Sequence, residues 1–167
     1  MSMSRFLAQA AMQEDQFVTW FPSYGAEVRG GTAHSMLIIS DAPIASPFIG
    51  QADTLVAMNQ PSLDRFILRV RPKGLALING SLINKLPKRK NIKIVKRPFT
   101  EIAVDLGNVR MANVVALGAL CKLKALVKFN SLLAVLRESF INEQLFLANE
   151  RALRYGARLT TQRRTRR

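Results

Sequence analysis

Before Thr100 the apolar positions of the chain come in short unbroken runs, and after it they recur at helical spacing. Arg5 to Gln13 predicts a short helix with Phe6, Leu7, Ala10 and Ala11 on one face. Phe17 to Phe21 predicts a strand that Pro22 ends. Three continuous apolar runs follow. Met36–Ile39 is stopped by Asp41-Ala-Pro43, Thr54–Met58 by Asn59-Gln60-Pro61, and Leu75–Ile78 lies between Gly74 and Gly80. Runs without alternation are what a sheet covered by helices on both faces requires. Between them, Ser62 to Val70 suits a short helix with Leu63, Phe66 and Ile67 on one side. Ile92–Val95 alternates apolar and basic residues, as a half-exposed edge strand does.

The last third predicts helices. Thr100 and Asp105-Leu-Gly107 bracket a short piece, and Asn108 is placed to cap a helix from Val109 to about Leu126. Apolar residues cover nearly every face of that helix, so it is expected inside the core or a subunit interface. Within it, Asn113 and Gly118 point to close packing and a satisfied buried amide. Asn130 or Ser131 is expected to cap Leu132–Phe140, and Asn142 to cap Glu143–Tyr155, which Gly156 would end. The expected fold is an α/β layered domain with a central mostly parallel or mixed sheet and a helical C-terminal third. In such sheets ligand loops sit at the carboxyl ends of strands. If the strands ending at Phe21 and Met58 are parallel neighbours, the loops after them, Pro22–Gly31 and Asn59–Pro61, would face one crevice.

Composition supports one domain. The chain has 167 residues, 49% of them hydrophobic, enough for a substantial core. Its longest uncharged runs are 11 residues, too short for a spanning helix of about 20. No secretory signal is read at the N-terminus, and a cytoplasmic location is expected. A single cysteine, Cys121, excludes an internal disulfide and a cluster or zinc site held by this chain's thiols alone. The net charge of +14 is not spread evenly. Lys85–Arg97 holds seven basic residues and no acid, and so does Arg151–Arg167. The rest of the chain is neutral. The expected organisation is a single domain over residues 1–157 and a basic tail over 158–167. Aromatic residues do not interleave with either basic run, which weakens a reading as an RNA-binding protein.

The densest polar chemistry lies just after the first strand, in Ser23, Tyr24, Gly25, Glu27, Arg29, Gly30 and Gly31. Glycines there admit φ > 0 or close approach of a partner. A hydroxyl, a phenol, a carboxylate and a guanidinium beside a rigid strand form a candidate contact loop. Arg29 is placed either to hold a phosphate or carboxylate or to tie the loop through Glu27. No catalytic residue is assigned. His34 is the only histidine, and with no second histidine, no Cys–His pair and no purposeful carboxylate pair, it reads as structural.

Three segments in order carry a likeness. They are Thr19-Trp-Phe-Pro-Ser-Tyr-Gly-Ala-Glu-Val-Arg-Gly-Gly-Thr32, Ala57-Met-Asn-Gln-Pro-Ser-Leu-Asp64 and Gly107-Asn-Val-Arg-Met-Ala-Asn-Val-Val-Ala-Leu-Gly-Ala119. The chain resembles the gamma subunit of the 2-oxoacid:ferredoxin oxidoreductases, from about Phe6 to Tyr155. The resemblance implies oxidative decarboxylation of a 2-oxoacid to an acyl-CoA, with electrons passed to ferredoxin. It implies thiamine diphosphate and iron–sulfur clusters on partner subunits, and at this chain a contribution to coenzyme A binding and active-site assembly. Ser23, Tyr24, Gly25, Glu27, Arg29, Gly30, Gly31, Asn59 and Gln60 are the positions it marks. No membrane partner is implied. The chain departs from the family at its opening. Met1-Ser-Met-Ser4 stands where a first strand and a Gly-x-Gly-Gly-Gln-Gly loop should end. Either that opening lies upstream or this copy has lost it, and coenzyme A binding by this chain alone is in doubt. In this setting the Lys85–Arg97 run has three readings: coenzyme A phosphates, the acidic face of ferredoxin, or a solvated face. The alternative function is a basic nucleic-acid-binding or structural interaction protein acting through its arginine tail.

Overall fold

The computed structural model describes residues 1–23 and 33–159. In chain order these form α1 (Ser2–Met12), β1 (Phe17–Ser23), β2 (His34–Ser40), β3 (Ala52–Ala57), α2 (Gln60–Phe66), β4 (Val70–Asn79), β5 (Lys93–Arg97), α3 (Phe99–Asp105), α4 (Ala112–Lys124), α5 (Phe129–Ser139) and α6 (Glu143–Arg158). Short 3-10 turns at Ile67–Arg69 and Val109–Met111 lead into β4 and α4.

The three apolar runs do not make one sheet. β3, β4 and β5 form a parallel sheet with β4 in the middle. The sheet is covered on both faces, which is why β4 reads as an unbroken apolar run. Leu75 and Leu77 point into the main core with α1, α3, α4, α5 and α6. Ala76 and Ile78 point the other way, onto Leu63 and Ile67 under α2. β1 and β2 instead pair antiparallel in a separate two-stranded sheet, Phe17 opposite Ser40 and Ser23 opposite His34. β1 and β3 are therefore not parallel neighbours, and the crevice expected from adjacent strand ends does not arise that way. β1 also runs through Pro22 to Ser23. A two-stranded sheet leaves each strand an outer edge, where a missing N–H costs no ladder bond.

In the helical third, α4 is buried over nine of its residues, from Ala112 to Cys121, as its uniform apolarity predicts. Asn108 caps the turn before it by accepting the Arg110 N–H at 3.0 Å. Asn113 is satisfied but only half-buried: it donates to Ser2 Oγ at 2.6 Å and accepts the Val114 N–H at 3.0 Å. α5 starts at Phe129 with no side-chain cap from Asn130 or Ser131. Asn142 caps α6 through the Leu145 N–H at 3.1 Å.

Gly156 does not end α6, which continues to Arg158. It marks the crossing with α4. A Cβ built on Gly156 would lie 1.9 Å from the Val115 carbonyl oxygen, and one on Gly118 would lie 2.0 Å from that of Leu153. Each helix offers a glycine to the other's backbone, so the axes approach more closely than any side chain allows.

Candidate functional site

The contact loop read from the sequence joins the open end of the β1–β2 hairpin. Ser23 is half-buried at the end of β1, opposite His34. Tyr24, Gly25, Glu27, Arg29, Gly30 and Gly31 lie outside the described residues. What the structure shows is how their two anchors are held. On the inner face of the hairpin, Ser4 Oγ of α1 receives the Trp20 Nε1–H at 3.0 Å and lies 2.7 Å from Ser35 Oγ. Ser4 gives its own proton to the Met1 carbonyl at 2.8 Å. A hydroxyl has one proton, so Ser35 is the donor in the serine pair. On the outer face the His34 ring meets Phe66 of α2, with centroids 4.7 Å apart. The hairpin is thus pinned to α1 by polar bonds and to α2 by ring contact.

Asn59 and Gln60 open that same α2. Asn59 is its N-cap, and its side-chain oxygen accepts the Ser62 N–H at 3.0 Å. Gln60 clasps the backbone of Lys85, accepting its N–H at 3.0 Å and donating to its carbonyl at 3.1 Å. It also donates to Asp64 at 2.9 Å. These bonds tie the basic Lys85–Arg97 run to α2. Arg89 adds to the tie by donating to the carbonyls of Ile67 and Val70, both at 2.8 Å. The sequence reading gave the run its charge and an edge strand at Ile92–Val95 but missed this anchoring.

The reading also missed Asn79, which is fully buried at the carboxyl end of β4. Its amide donates to the Met58 carbonyl at 3.1 Å and to Thr100 Oγ1 at 2.8 Å, and it accepts the Thr100 N–H at 3.3 Å. It joins the ends of β3 and β4 to the start of α3, beside Asn59. The Asn-Gly pair after an apolar run was the available signal, but it reads equally as a turn.

Burial, then the charges of Arg65 and Arg69, hold the His34 pKa below its ordinary value. The imidazole is therefore kept neutral near neutral pH. Burial pushes the Cys121 thiol up to about 12, so it stays protonated and inert. Among the described residues no three His, Cys, Asp or Glu side chains gather as a metal site. The donor set does not fit an iron–sulfur cluster held by this chain. What it offers is a braced hairpin end, a capped helix and a basic run tied to that helix.

A family model described as pyruvate ferredoxin/flavodoxin oxidoreductase matches residues 1–159. The chain belongs to this family. Among curated members it is 40% identical over 123 residues to the ketoisovalerate oxidoreductase subunit VorA of Methanothermobacter marburgensis. That match covers 74% of this chain and 26% of the relative, so the chain spans about a quarter of the length of the relative it matches. Among solved family structures, the gamma subunit of a keto/oxoacid ferredoxin oxidoreductase from Geobacter sulfurreducens superposes with a TM-score of 0.81 at 26% identity. It is matched over 95% of this chain and 89% of that one. The 2-oxoglutarate:ferredoxin oxidoreductase of Magnetococcus marinus, solved with 2-oxoglutarate, coenzyme A and succinyl-CoA bound, shares the fold at a TM-score of 0.86 and 22% identity. There the match covers 96% of this chain and 28% of the other. Within the family, then, this unit occurs both nearly alone and inside a longer chain, which agrees with the resemblance carried by the three sequence segments.

Proposed function

We propose that the chain is the gamma-type subunit of a 2-oxoacid:ferredoxin oxidoreductase complex, which oxidatively decarboxylates a 2-oxoacid to an acyl-CoA and reduces ferredoxin. The observation that supports this best is the end-to-end likeness to a solved gamma subunit at 26% identity. In this reading the chain works in the cytoplasm, helps bind coenzyme A and completes the active site. Thiamine diphosphate and the iron–sulfur clusters belong to partner subunits, and ferredoxin is met through the complex. A single cysteine cannot by itself supply the thiolates that an iron–sulfur cluster needs.

Ser23, Tyr24, Gly25, Glu27, Arg29, Gly30 and Gly31 form the loop that meets ligand or partner, with Arg29 as the anion partner. Asn59 and Gln60, which hold α2 and the basic run in place, are the second pair of contact positions. The alternative of a nucleic-acid-binding protein gains nothing from the family or from the structural likenesses. Exchanging Arg29 for alanine in the assembled complex tests the reading. Losing a charge-assisted pair predicts at least about a tenfold fall in coenzyme A-dependent turnover with the subunits still associated. Unchanged turnover would remove Arg29 from the site. A chain that recovers from its own cells with nucleic acid and no oxidoreductase subunits would remove the assignment.

A further inference from the structure

The segment that carries the inner basic run is fixed at several points. Ile83, just before the run, is fully buried, and Ile92 and Ile94 pack against the same small core. Gln60 clasps the backbone of Lys85, and Arg89 is bonded to the carbonyls of Ile67 and Val70. The Asn91 carbonyl accepts the Lys73 N–H at 2.7 Å, and the Asn91 side-chain oxygen accepts the Arg89 Nε–H at 3.2 Å. On this fixed backbone Lys85, Lys88, Lys90 and Lys93 stand exposed. The ion pairs of the described residues lie at Arg71, Arg137 and Arg154, and no carboxylate among those residues reaches the four lysines. Leu82 and Leu86 are exposed in the same segment, at 53% and 44%. We propose that this strip, from Leu82 to Lys93, is the docking surface for the acidic face of the electron acceptor, ferredoxin. The inference rests on the subunit assignment and deepens it by giving the acceptor a place on this chain.

Three features of the strip support it. Lysines without counter-ions on a fixed backbone repel one another in the free chain, and an opposing acidic surface relieves that repulsion and steers its own approach. Because the backbone is already held, binding has little beyond the lysine ends to order. The leucines decide the class of partner. Apolar side chains set among charges suit a protein interface, whereas the phosphates of a cofactor gain nothing from them. Nucleic-acid bases would call for aromatic stacking partners, and the segment from Leu82 to Lys93 has no aromatic residue.

The test uses the assembled complex, with this chain either wild type or carrying Lys88→Gln, Lys90→Gln and Lys93→Gln together. Turnover of 2-oxoacid and coenzyme A is followed with ferredoxin and, separately, with methyl viologen, a small dye that accepts electrons without a docking surface. The triple variant should raise the KM for ferredoxin by at least about fivefold. It should leave kcat, the KM for coenzyme A and turnover with the dye unchanged, a split that a general loss of structure would not produce. The KM for ferredoxin should climb with ionic strength in the wild type and climb less in the variant. Equal KM values for ferredoxin in the two complexes would overturn the proposal. A rise in the KM for coenzyme A instead would also overturn it, by giving the run to phosphates. Loss of another subunit from the variant complex would do the same, by making the strip an interface within the assembly. A wild-type complex that turns over with neither acceptor would contradict the subunit assignment itself, and the proposal with it. The dye therefore tells the two failures apart.

Discussion

The α4–α6 crossing and the β1–β2 hairpin show two ways of fixing structure in one domain. At the crossing, two helices meet backbone to backbone through Gly118 and Gly156, deep in a core that includes Val115, Leu117 and Leu153. The two glycines and the apolar side chains around them set its shape. The hairpin is two strands only, an arrangement marginal by itself. It is held on its inner face by a serine–tryptophan–serine cluster and by Val18, Leu37 and Ile39 packed against the main core, and on its outer face by the ring contacts of His34 with Phe66 and of Phe21 with Phe48. The comparison teaches that the chain keeps backbone-to-backbone packing for the scaffold and holds the loop-bearing arm by partly buried side chains and a few directional bonds. Segments held this way are the ones that adjust when a ligand or partner arrives.

The contrast breaks first at the crossing. Gly156→Ala should cost about 3 kcal/mol, the upper end for overpacking, because the added carbon meets a carbonyl oxygen and not a flexible side chain. For a domain of this size that lowers Tm by roughly 6–12 °C. A loss under about 1 kcal/mol in denaturant melts would show that the helices can part freely. Next in size is Asn79→Ala. It strands the Thr100 N–H and hydroxyl and the Met58 carbonyl in a buried place, at about 2 kcal/mol. Near-neutral stability in the same melts would contradict the account of that joint.

Smaller effects sharpen the hairpin side. Trp20→Phe keeps a ring but removes the N–H to Ser4, at about 1 kcal/mol. Hydrogen exchange should quicken in β1 and β2 while α4 and α6 keep their protection; uniform loss would mean the arm is no separate unit. The smallest effect is that of His34. Its folded pKa lies below the unfolded value near 6.5, so the unfolded chain binds more protons in acid. Stability is therefore full above the unfolded value and falls as pH drops below it. His34→Asn should remove that part of the slope in pH-dependent melts, and an unchanged slope would assign it to other groups.

The two regions also differ in what the sequence discloses. The apolar stripe of α4 and the unbroken Leu75–Ile78 run state their burial openly, because burial on all sides needs apolar residues on all sides. The helix caps at Asn108 and Asn142 are local, and they are found where local chemistry puts them. Gly156 misleads because a glycine near a helix end signals a stop, while its use here depends on a helix over thirty residues away in sequence, Gly118 in α4. Pro22 misleads likewise, since a proline usually ends a strand, while a two-stranded sheet has open outer edges that tolerate one. At the candidate site, Ser23, Asn59 and Gln60 were legible as polar residues at element ends. The clasp of Gln60 on Lys85 and the meeting of His34 with Arg65 and Arg69 join distant segments, and no periodicity announces them.

The central claim is that a rigid domain presents its hairpin arm to chemistry completed by other polypeptides. The most direct measurement compares coenzyme A-dependent reduction of ferredoxin by a 2-oxoacid in the complex isolated from its own cells with that of the purified chain at equal molarity. The account predicts turnover in the complex and none in the chain alone, while sustained acyl-CoA formation by the isolated chain would contradict it.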